Sequence, residues 1–337
     1  MNIAVVCGGI SPERNVSLVG GLAAANALEH NGHTVRIIDP AFGSDSIRTK
    51  DQILVNPSEL PSSDILDLPK QRLLDCVQSS AFDGIDKAFL LVHGTNGEDG
   101  IFQALLEAKG IPYTGSKVMS SALAMNKLAS KVMFSAVGIQ TPIWIAAVKS
   151  KGHLENPATI QDILEEIPGS IVIKPNDQGS TVGMSILHNP TSETIYNALQ
   201  LAGEYSEIVL IEEFIEGREL TVAVLGDEAL PIIEIEPEGG FYDYKRKYTK
   251  GFTEYHCPAD LSEDISSFVQ NLAISAHHAL GCTAYSRVDF RLNEDNVPYC
   301  LEVNTIPGFS STSLVPMAAK AAGIDFNRLC EMIIELS

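Results

Sequence analysis

The sequence has little positive charge, few cysteines and no long apolar run, and each shortage excludes a class of protein. Lysine and arginine number 23 against 43 acidic residues, which gives a formal net charge of −20 at pH 7. A chain this acidic offers no broad surface for nucleic acid or anionic lipid, so we expect neither nucleic acid nor membrane as a partner. No apolar run approaches the ~18 residues that a membrane helix requires. The 337 residues, 45% hydrophobic and 20% charged, are long enough for two or three packed domains.

The six cysteines are scattered, and no two of them form a Cys-x-x-Cys pair. This pattern indicates small hydrophobic residues in a reducing compartment and argues against a disulfide framework or a zinc site. The chain runs from Met1 directly into an apolar strand pattern and lacks the basic flank of a signal peptide. We therefore predict a cytoplasmic protein.

The first third of the chain alternates apolar runs with helical periodicity. The segments, in the order strand, helix, strand, strand, are Ile3–Cys7, Val16–Leu28, Thr34–Ile38 and Ala88–Val92. Together with the glycine turn at Gly8-Gly9, this order is typical of a parallel α/β unit. Between Phe42 and Leu68 the sequence changes to Ser, Asp and Pro, which predicts an irregular insertion.

A second region begins near Ser116. We predict one helix from Ser120 to Val137, ended by Gly138. Strands are predicted at Ile171–Lys174 and Val182–Leu187, with a glycine-containing loop between them. In the last region Ser262 is predicted to cap a helix that ends at Gly281.

Polar and apolar residues alternate in two neighbouring stretches near the C-terminus, which predicts a β-hairpin. Asp289 shares one strand face with Arg287, and Glu302 shares the facing strand with Asn304. If the hairpin turns symmetrically between Asp295 and Asn296, Asp289 lies opposite Glu302 and Arg287 lies opposite Asn304. Directly opposed side chains have Cβ atoms ~4.5–5.5 Å apart.

Two carboxylates this close repel each other unless one is protonated or a cation lies between them. Oxygen ligands from Asp289, Glu302 and Asn304 suit Mg²⁺ or Mn²⁺ better than zinc. Because Mg²⁺ usually keeps substrate phosphates in its shell, the hairpin points to a nucleotide. The alternative is a solvated hairpin face on which Arg287 and Arg291 neutralise the acids.

Other groups could bind phosphate. Lys174 ends an apolar strand just before the loop Gly179–Gly183, where glycines let backbone N–H groups approach phosphate oxygens. The spacing is not that of a Walker loop, and Lys174 taken alone is more typical of a surface lysine. The aromatic and basic cluster Phe241–Tyr248 lies in a long irregular stretch, which is typical of a functional lid or a disordered loop, and its cations favour a lid over an anion. Such a patch can also bind single-stranded nucleic acid, which the overall negative charge disfavours.

These segments together resemble the D-alanine–D-alanine ligases, which belong to the ATP-grasp superfamily. The motifs that carry the resemblance are Gly8–Ser17, His93–Gly100, Lys174–Pro175, Gly179–Met184, Phe241–Tyr244, Glu302–Phe309 and Ser313–Pro316. They cover nearly the whole chain in the family's order. The departures are the insertion at 42–68 and two residues, Thr95 and Thr181, where other members often differ.

The resemblance implies an α/β protein with the ATP-grasp fold, α+β in its ATP-binding half. Its three domains would be a Rossmann-like domain with a parallel sheet (1–115), a central ATP-grasp subdomain (116–208) and a C-terminal subdomain with the metal site and lid (209–337). The implied activity is ATP-dependent ligation of two D-alanines through a D-alanyl phosphate, for peptidoglycan precursor synthesis, by a homodimer. Two alternatives remain open: another ATP-grasp carboxylate–amine ligase, and a catalytically inactive nucleotide-binding regulator.

The resemblance also implies roles for individual residues. Those that would hold ATP are Lys127, Lys174 and Lys247 at the phosphates, Glu212 and the Ile215 backbone at adenine, and Glu219 at the ribose. Those that would hold two Mg²⁺ ions, for which Mn²⁺ can substitute, are Asp289, Glu302 and Asn304. Glu13, with His93 nearby, would bind the ammonium of the first D-alanine. Ser313 and the backbone of Leu314 would bind the carboxylate of the second. Those implied in catalysis are the oxyanion donors Arg287 and Gly308, and the hydrogen-bonded set Glu13, Ser180 and Tyr248, which ties the lid to the substrate.

Overall fold

The computed structural model describes residues 1–57, 59–150, 153–155, 160–237 and 253–337, and within them helices pack on three β-sheets. The elements of the first region are β1 (Asn2–Val6), α1 (Arg14–His30), β2 (Thr34–Ile38), β3 (Ile47–Arg48), α2 (Ser63–Leu66), α3 (Gln71–Gln78), β4 (Lys87–Leu90) and α4 (Ile101–Lys109). Short 3-10 helices lie at Pro40–Asp45, Lys50–Ile53 and Ser80–Phe82.

The first sheet has the strand order β3-β2-β1-β4. Strand β1 pairs in parallel with β2 and with β4, as the sequence predicts. The two-residue strand β3 adds an antiparallel edge and belongs to the insertion, which otherwise contains 3-10 turns and the single-turn helix α2. The carboxyl ends of β1 and β4 therefore lead into the two turns that carry Glu13 and His93.

The second and third regions hold the remaining elements. Those of the second region are α5 (Val118–Met125), α6 (Lys127–Ala136), β5 (Trp144–Ser150), β6 (His153–Glu155), α7 (Ile160–Glu166), β7 (Ile171–Pro175), β8 (Ser185–Leu187), α8 (Ser192–Gly203) and β9 (Ile208–Glu213). Those of the third region are β10 (Arg218–Leu225), β11 (Glu228–Ala229), β12 (Ile233–Pro237), β13 (Thr253–His256), α9 (Glu263–Ala279), β14 (Tyr285–Leu292), β15 (Pro298–Asn304), α10 (Leu314–Ala321) and α11 (Phe326–Glu335).

The second and third sheets are antiparallel. The second has the order β6-β5-β9-β7-β8, and the third has the order β13-β12-β10-β14-β15, with β11 paired to β10. Strand β8 starts at Ser185 and not at Val182, because Gly183 has a φ of 69° that ends the extended backbone before it. Helix α9 begins after its cap Ser262, as predicted.

The single helix predicted from Ser120 to Val137 is wrong, because the chain forms two helices there. Asn126, with φ −88° and ψ 97°, ends α5, and its side chain accepts a hydrogen bond from the Ala129 N–H to begin α6. Asn is favoured at such a cap, since its side-chain oxygen replaces a missing helical partner. As a result Lys127 is the first residue of α6.

The C-terminal helices join the core of the first sheet. Residues of α10 and α11 pack with β1 and β4 in one hydrophobic cluster. Phe309 is fully buried there, with its ring centroid 5.6 Å from that of Phe89 and 6.0 Å from that of Tyr285. This packing holds the segment around Gly308 against the turns of the first sheet. Among the described helices, none combines the length and apolarity that crossing a bilayer demands.

Candidate active site

The hairpin of β14 and β15 brings the proposed metal ligands together. Asp289 pairs with Glu302, and Arg287 pairs with Asn304, as the sequence predicts. The predicted symmetric turn is wrong, because the pairing between Asp289 and the turn is offset by one residue. The extra residue, Leu301, forms a bulge, so the four side chains still share one face.

Four donor atoms hold the Asp289 carboxylate. Thr221 Oγ1 donates at 2.6 Å, Arg287 donates through Nε at 2.9 Å and Nη2 at 2.7 Å, and Asn304 Nδ2 donates at 3.1 Å. The salt bridge considered for Arg287 from the sequence is therefore present. A cation bound to Asp289 would have to displace part of this network.

The donor set of the hairpin fits Mg²⁺ or Mn²⁺. Asp289 and Glu302 supply carboxylate oxygens, and Asn304 adds an amide oxygen, which are the ligands that these hard cations prefer. Both carboxylates are partly exposed and line the same cavity. Glu302 Oε2 lies 3.2 Å from Lys127 Nζ, so a lysine already approaches the position where phosphate charge would lie.

A buried cluster of one acid and two lysines adjoins this hairpin. Glu212 Oε2 lies 2.7 Å from Lys174 Nζ, and Glu212 Oε1 lies 3.1 Å from Lys131 Nζ. Burial by itself would raise the pKa of Glu212, but the two lysines hold that pKa below its usual range. Burial lowers the pKa of Lys131, and Glu212 partly opposes the shift. Glu212 therefore anchors Lys174 at the edge of the cavity.

Sequence reasoning missed Lys131. The buried residues of α6 are Lys127, Ser130, Lys131 and Phe134, which follow the i, i+3, i+4, i+7 spacing of one helix face. That spacing was the available signal, because a lysine on a buried face needs a partner. Besides Glu212, Lys131 has a hydroxyl partner: Thr141 Oγ1 accepts a hydrogen bond from Lys131 Nζ at 2.6 Å.

The start of α6 is fastened to the glycine-containing loop. Asn176 accepts the Lys127 N–H through its carbonyl at 3.1 Å and the Leu128 N–H through its side chain at 2.8 Å. Lys127 Nζ also donates to Gln178 O at 2.9 Å. The break in the helix at Asn126 thus aims Lys127 at the loop that was predicted to cradle phosphate.

The same loop reaches Glu13 of the first region. Ser180 Oγ donates to Glu13 Oε1 at 2.5 Å, which confirms the contact implied for this pair. Ser180 and Thr181 have φ values of 49° and 61°, a conformation that costs non-glycine residues free energy. Gly179 allows the approach, because a Cβ there would lie 3.0 Å from Glu13 Oε2.

His93 lies near Glu13 in the same cavity, and Ser313 lines that cavity as well. His93 Nδ1 lies 2.9 Å from Ile306 O, and His93 Nε2 is buried with no hydrogen-bond partner among the described residues. Burial lowers the pKa of His93, so the ring is neutral at pH 7 and Nε2 is an acceptor. Ser313 precedes α10, and its Oγ accepts the Ser310 N–H at 2.9 Å instead of capping the helix. The Leu314 N–H at the start of α10 is then available to an anion.

Arg291 holds two of the residues that the resemblance implied for adenine and ribose. Its Nε donates to Ile215 O at 3.0 Å, and its Nη1 lies 3.6 Å from Glu219 Oε2. All three residues line one cavity with Glu212. The structure therefore groups the residues that the resemblance implied for adenine and ribose.

Two adjoining cavities collect the implied site residues. One, of about 510 Å³, is lined by Glu13, His93, Lys127, Ser180, Arg287, Glu302, Asn304, Gly308, Ser313 and Leu314. The other, of about 170 Å³, is lined by Lys127, Lys174, Ser180, Glu212, Ile215, Glu219, Arg287, Asp289, Glu302 and Leu314. Lys247 and Tyr248 lie outside the described residues. Glu98, which had no implied role, also lines the larger cavity.

Comparisons with known proteins identify the family of the chain. Two family models match: "D-ala D-ala ligase N-terminus" over residues 2–116 and "D-ala D-ala ligase C-terminus" over residues 133–335. The D-alanine–D-alanine ligase of Syntrophotalea carbinolica is 41% identical over 98% of this chain and 94% of its own.

Solved structures are similar over the whole chain. The D-alanine–D-alanine ligase of Bacillus anthracis matches with a TM-score of 0.79 and 33% identity over 100% of this chain and 97% of its own, and it has also been solved complexed with ATP. The VanG D-Ala:D-Ser ligase of Enterococcus faecalis matches with a TM-score of 0.79 and 28% identity, covering 100% and 99%.

Proposed function

The chain belongs to the D-alanine–D-alanine ligase family, and on that premise we propose that it joins two D-alanine molecules in a reaction driven by ATP. The product would serve peptidoglycan precursor synthesis. The observation that carries the proposal is the pair of adjoining cavities, one with nucleotide-binding chemistry and one with groups for an amino acid's ammonium and carboxylate.

The smaller cavity is proposed to hold ATP. Lys127 and Lys174 would contact its phosphates, with Lys247 at the γ-phosphate. Glu212 and the Ile215 backbone would face adenine, and Glu219 would face the ribose; Arg291 supports this by holding Ile215 and Glu219 in place.

The metal ligands are proposed to be Asp289, Glu302 and Asn304, holding two Mg²⁺ ions. Bound Mg²⁺ would neutralise phosphate charge during phosphoryl transfer. The facing carboxylates support this assignment, since they place two oxygen donors of the kind that Mg²⁺ prefers on one face of the hairpin.

The larger cavity is proposed to hold both D-alanines. Glu13, with His93 beside it, would bind the ammonium of the first D-alanine, and Ser180 would keep Glu13 in position through its 2.5 Å hydrogen bond. Ser313 and the Leu314 N–H would bind the carboxylate of the second, aided by the N-terminus of α10.

The proposed chemistry activates a carboxylate before an amine attacks it. An oxygen of the first D-alanine carboxylate attacks the γ-phosphorus, ADP leaves, and an acyl phosphate forms. The amine of the second D-alanine, after losing its proton, attacks the carbonyl carbon. Arg287 and the Gly308 N–H would stabilise the resulting oxyanion, and phosphate then leaves. Tyr248 is proposed to complete the lid that keeps water from the acyl phosphate.

The cellular location, the oligomeric state and the domain division are also proposals. We propose a cytoplasmic homodimer, the cytoplasm following from the use of ATP. The domain division 1–115, 116–208 and 209–337 is supported by the three sheets, although β9 (Ile208–Glu213) belongs to the second sheet and begins at a boundary.

Phosphate release with ATP, Mg²⁺ and either D-alanine or L-alanine tests the proposal. We expect release that depends on D-alanine, with D-alanyl-D-alanine as the product. The similarity to a D-Ala:D-Ser ligase favours one alternative, a ligase with another acceptor, so D-serine is included as a competing acceptor. A mixed dipeptide as the main product would support that alternative. No turnover with either alanine would contradict both the D-alanine–D-alanine ligase and the ligase with another acceptor.

A further inference from the structure

Glu98 lines the larger cavity but has no part in the reaction proposed above. It lies in the turn between β4 and α4, and its Oε2 accepts the Gly94 N–H at 2.6 Å. The backbone of Ile306, in the segment that leads to Gly308, also forms a hydrogen bond to it. Backbone groups from two distant parts of the chain therefore fix this carboxylate at the wall of the cavity.

Glu98 and Glu13 both approach Gly94. Gly94 donates its N–H to Glu98, while a Cβ on Gly94 would lie 3.0 Å from Glu13 Oε2. Both carboxylates line the cavity in which the substrate ammonium is placed. Two nearby carboxylates of this kind resist ionising together unless a cation joins them.

Among the residues that the structure describes, the charged or titratable groups that act on or are acted on by Glu98 are Glu13, Arg287 and Tyr285, and His93 has the neighbours Glu13, Arg287 and Ile306 in common with it. His93 is neutral at pH 7, because burial lowers its pKa. Burial raises the pKa of the Tyr285 hydroxyl, so Tyr285 is neutral as well. Arg287 forms a two-point salt bridge with Asp289. None of these groups therefore supplies a full compensating charge to a second carboxylate.

This environment keeps Glu98 protonated near neutrality. Burial, followed by the charge of Glu13, raises the pKa of Glu98 to about 8. The hydrogen bonds from Gly94 and Ile306 and the charge of Arg287 oppose the shift without cancelling it. A cation arriving in the cavity would favour the ionised form.

We propose that Glu98 is a second carboxylate for the ammonium group of the first D-alanine, and that it releases its proton to solvent when that group binds beside Glu13. The inference rests on the proposed ligase function, because it takes D-alanine as the ligand. The ammonium then lies against two carboxylates instead of one. Its affinity is coupled to pH through Glu98 and not only through the substrate.

The coupling has a defined sign. Below the pKa that Glu98 has in the protein without D-alanine, binding must remove a proton from Glu98. The affinity for D-alanine therefore rises with pH, by up to about tenfold per pH unit. Above that pKa Glu98 is already ionised and the dependence disappears. The Gln variant mimics protonated Glu98 at every pH and keeps an acceptor for the Gly94 N–H, so its affinity stays flat where that of the wild type rises.

Calorimetric titration of D-alanine into the full-length protein tests this, with Mg²⁺ and a non-hydrolysable ATP analogue present. Comparing two buffers with different ionisation enthalpies at pH 7 gives the number of protons released. We expect the wild type to release a proton fraction approaching one, and Glu98→Gln to release none. Glu98→Asp keeps a carboxylate and should still release a proton, with weaker binding. Asp99→Asn, in the same turn but outside the cavity lining, should behave as the wild type.

The possible failures are distinct. Equal proton release by the wild type and a folded Glu98→Gln protein would overturn the role of Glu98. A wild type that converts D-alanine to product but releases no proton on binding would overturn it as well, and leave the ligase function standing. A wild type that neither binds nor converts D-alanine would overturn the proposed function, and this inference with it.

Discussion

Asp289 and Glu302 face each other across the β14–β15 hairpin, although the strands are not symmetric about their turn. The pairs nearer the turn, such as Phe290 with Cys300, are offset by one residue. The bulge at Leu301 absorbs that offset. Because a shift of one residue moves side chains to the other face of a sheet, the bulge is what keeps Glu302 on the face of Asp289.

The first prediction concerns the metal ligands. Asp289→Asn or Glu302→Gln should abolish ligation while the fold stays intact, because each removes a charged oxygen ligand from the shared face. Phosphate release measures activity, and thermal unfolding checks the fold. Asp295→Asn, an exposed acid in the turn of the same hairpin, is the matched control and should stay active. Near-normal turnover by a folded Glu302→Gln protein would refute the assignment.

The second prediction concerns the oxyanion. Arg287→Met should lower kcat by roughly two to three orders of magnitude, as loss of an oxyanion donor does elsewhere, with much less effect on ATP affinity. The control is Arg291→Met on the same strand face. Since Arg291 holds Ile215 and Glu219, its loss should raise the KM for ATP more than it changes kcat. An unchanged kcat for Arg287→Met would mean that Arg287 serves only as the partner of Asp289.

Much of the fold follows from local patterns. The parallel strands, α4 with its Gly110 end, and α9 with its Ser262 cap all have periodicity and capping residues that the sequence shows directly. The facing pairs of the hairpin were also predictable from alternation. The bulge at Leu301 was not, because the alternation alone does not show that one strand contains an extra residue.

The helix break at Asn126 shows why other features escaped prediction. The residues on both sides have helical spacing, so local periodicity favours one long helix. The break is held by Asn176, about fifty residues away, which binds the first N–H groups of α6. Likewise the partner of Lys131 is Glu212, on a strand of the second sheet. Both features depend on tertiary contacts that sequence spacing does not contain.

The third prediction concerns the buried lysine. Lys131→Met should destabilise the protein, because Glu212 then stays buried with one partner fewer. Losing one member of a buried ion pair costs about 3–5 kcal/mol, and Lys174 should keep the loss at the lower end of that range. Lys50→Met, which removes an exposed pair with Glu29, should cost less than about 1 kcal/mol. Urea unfolding measures the free energy of unfolding of each variant. Equal losses would show that the buried cluster stabilises the protein no more than the exposed pair does.

The fourth prediction concerns the close approach at Gly179. Gly179→Ala would place a Cβ 3.0 Å from Glu13 Oε2, so the Glu13 side chain must shift. Overpacking of this kind costs about 1–3 kcal/mol, so the KM for D-alanine should rise about tenfold. The KM for D-alanine should rise more than the KM for ATP, since the added methyl group meets Glu13 directly and leaves Lys127 and Lys174 in place. An unchanged KM for D-alanine would show that the position of Glu13 does not depend on this contact.

The last prediction concerns the acceptor. The enzyme should form the dipeptide and discriminate against D-lactate as the second substrate. A cation near the acceptor would repel its ammonium and favour a neutral hydroxyl. Among the described residues lining the larger cavity, Lys127 and Arg287 are the charged cations, and they are paired with Glu302 and Asp289. Tyr248, outside the described residues, has an ordinary pKa of ~10 for its residue type and would be neutral at pH 7. Product analysis with D-alanine and D-lactate supplied together, from pH 6 to 9, measures the choice. Depsipeptide as the main product at neutral pH would mean that a group near the acceptor penalises the ammonium, contrary to this account.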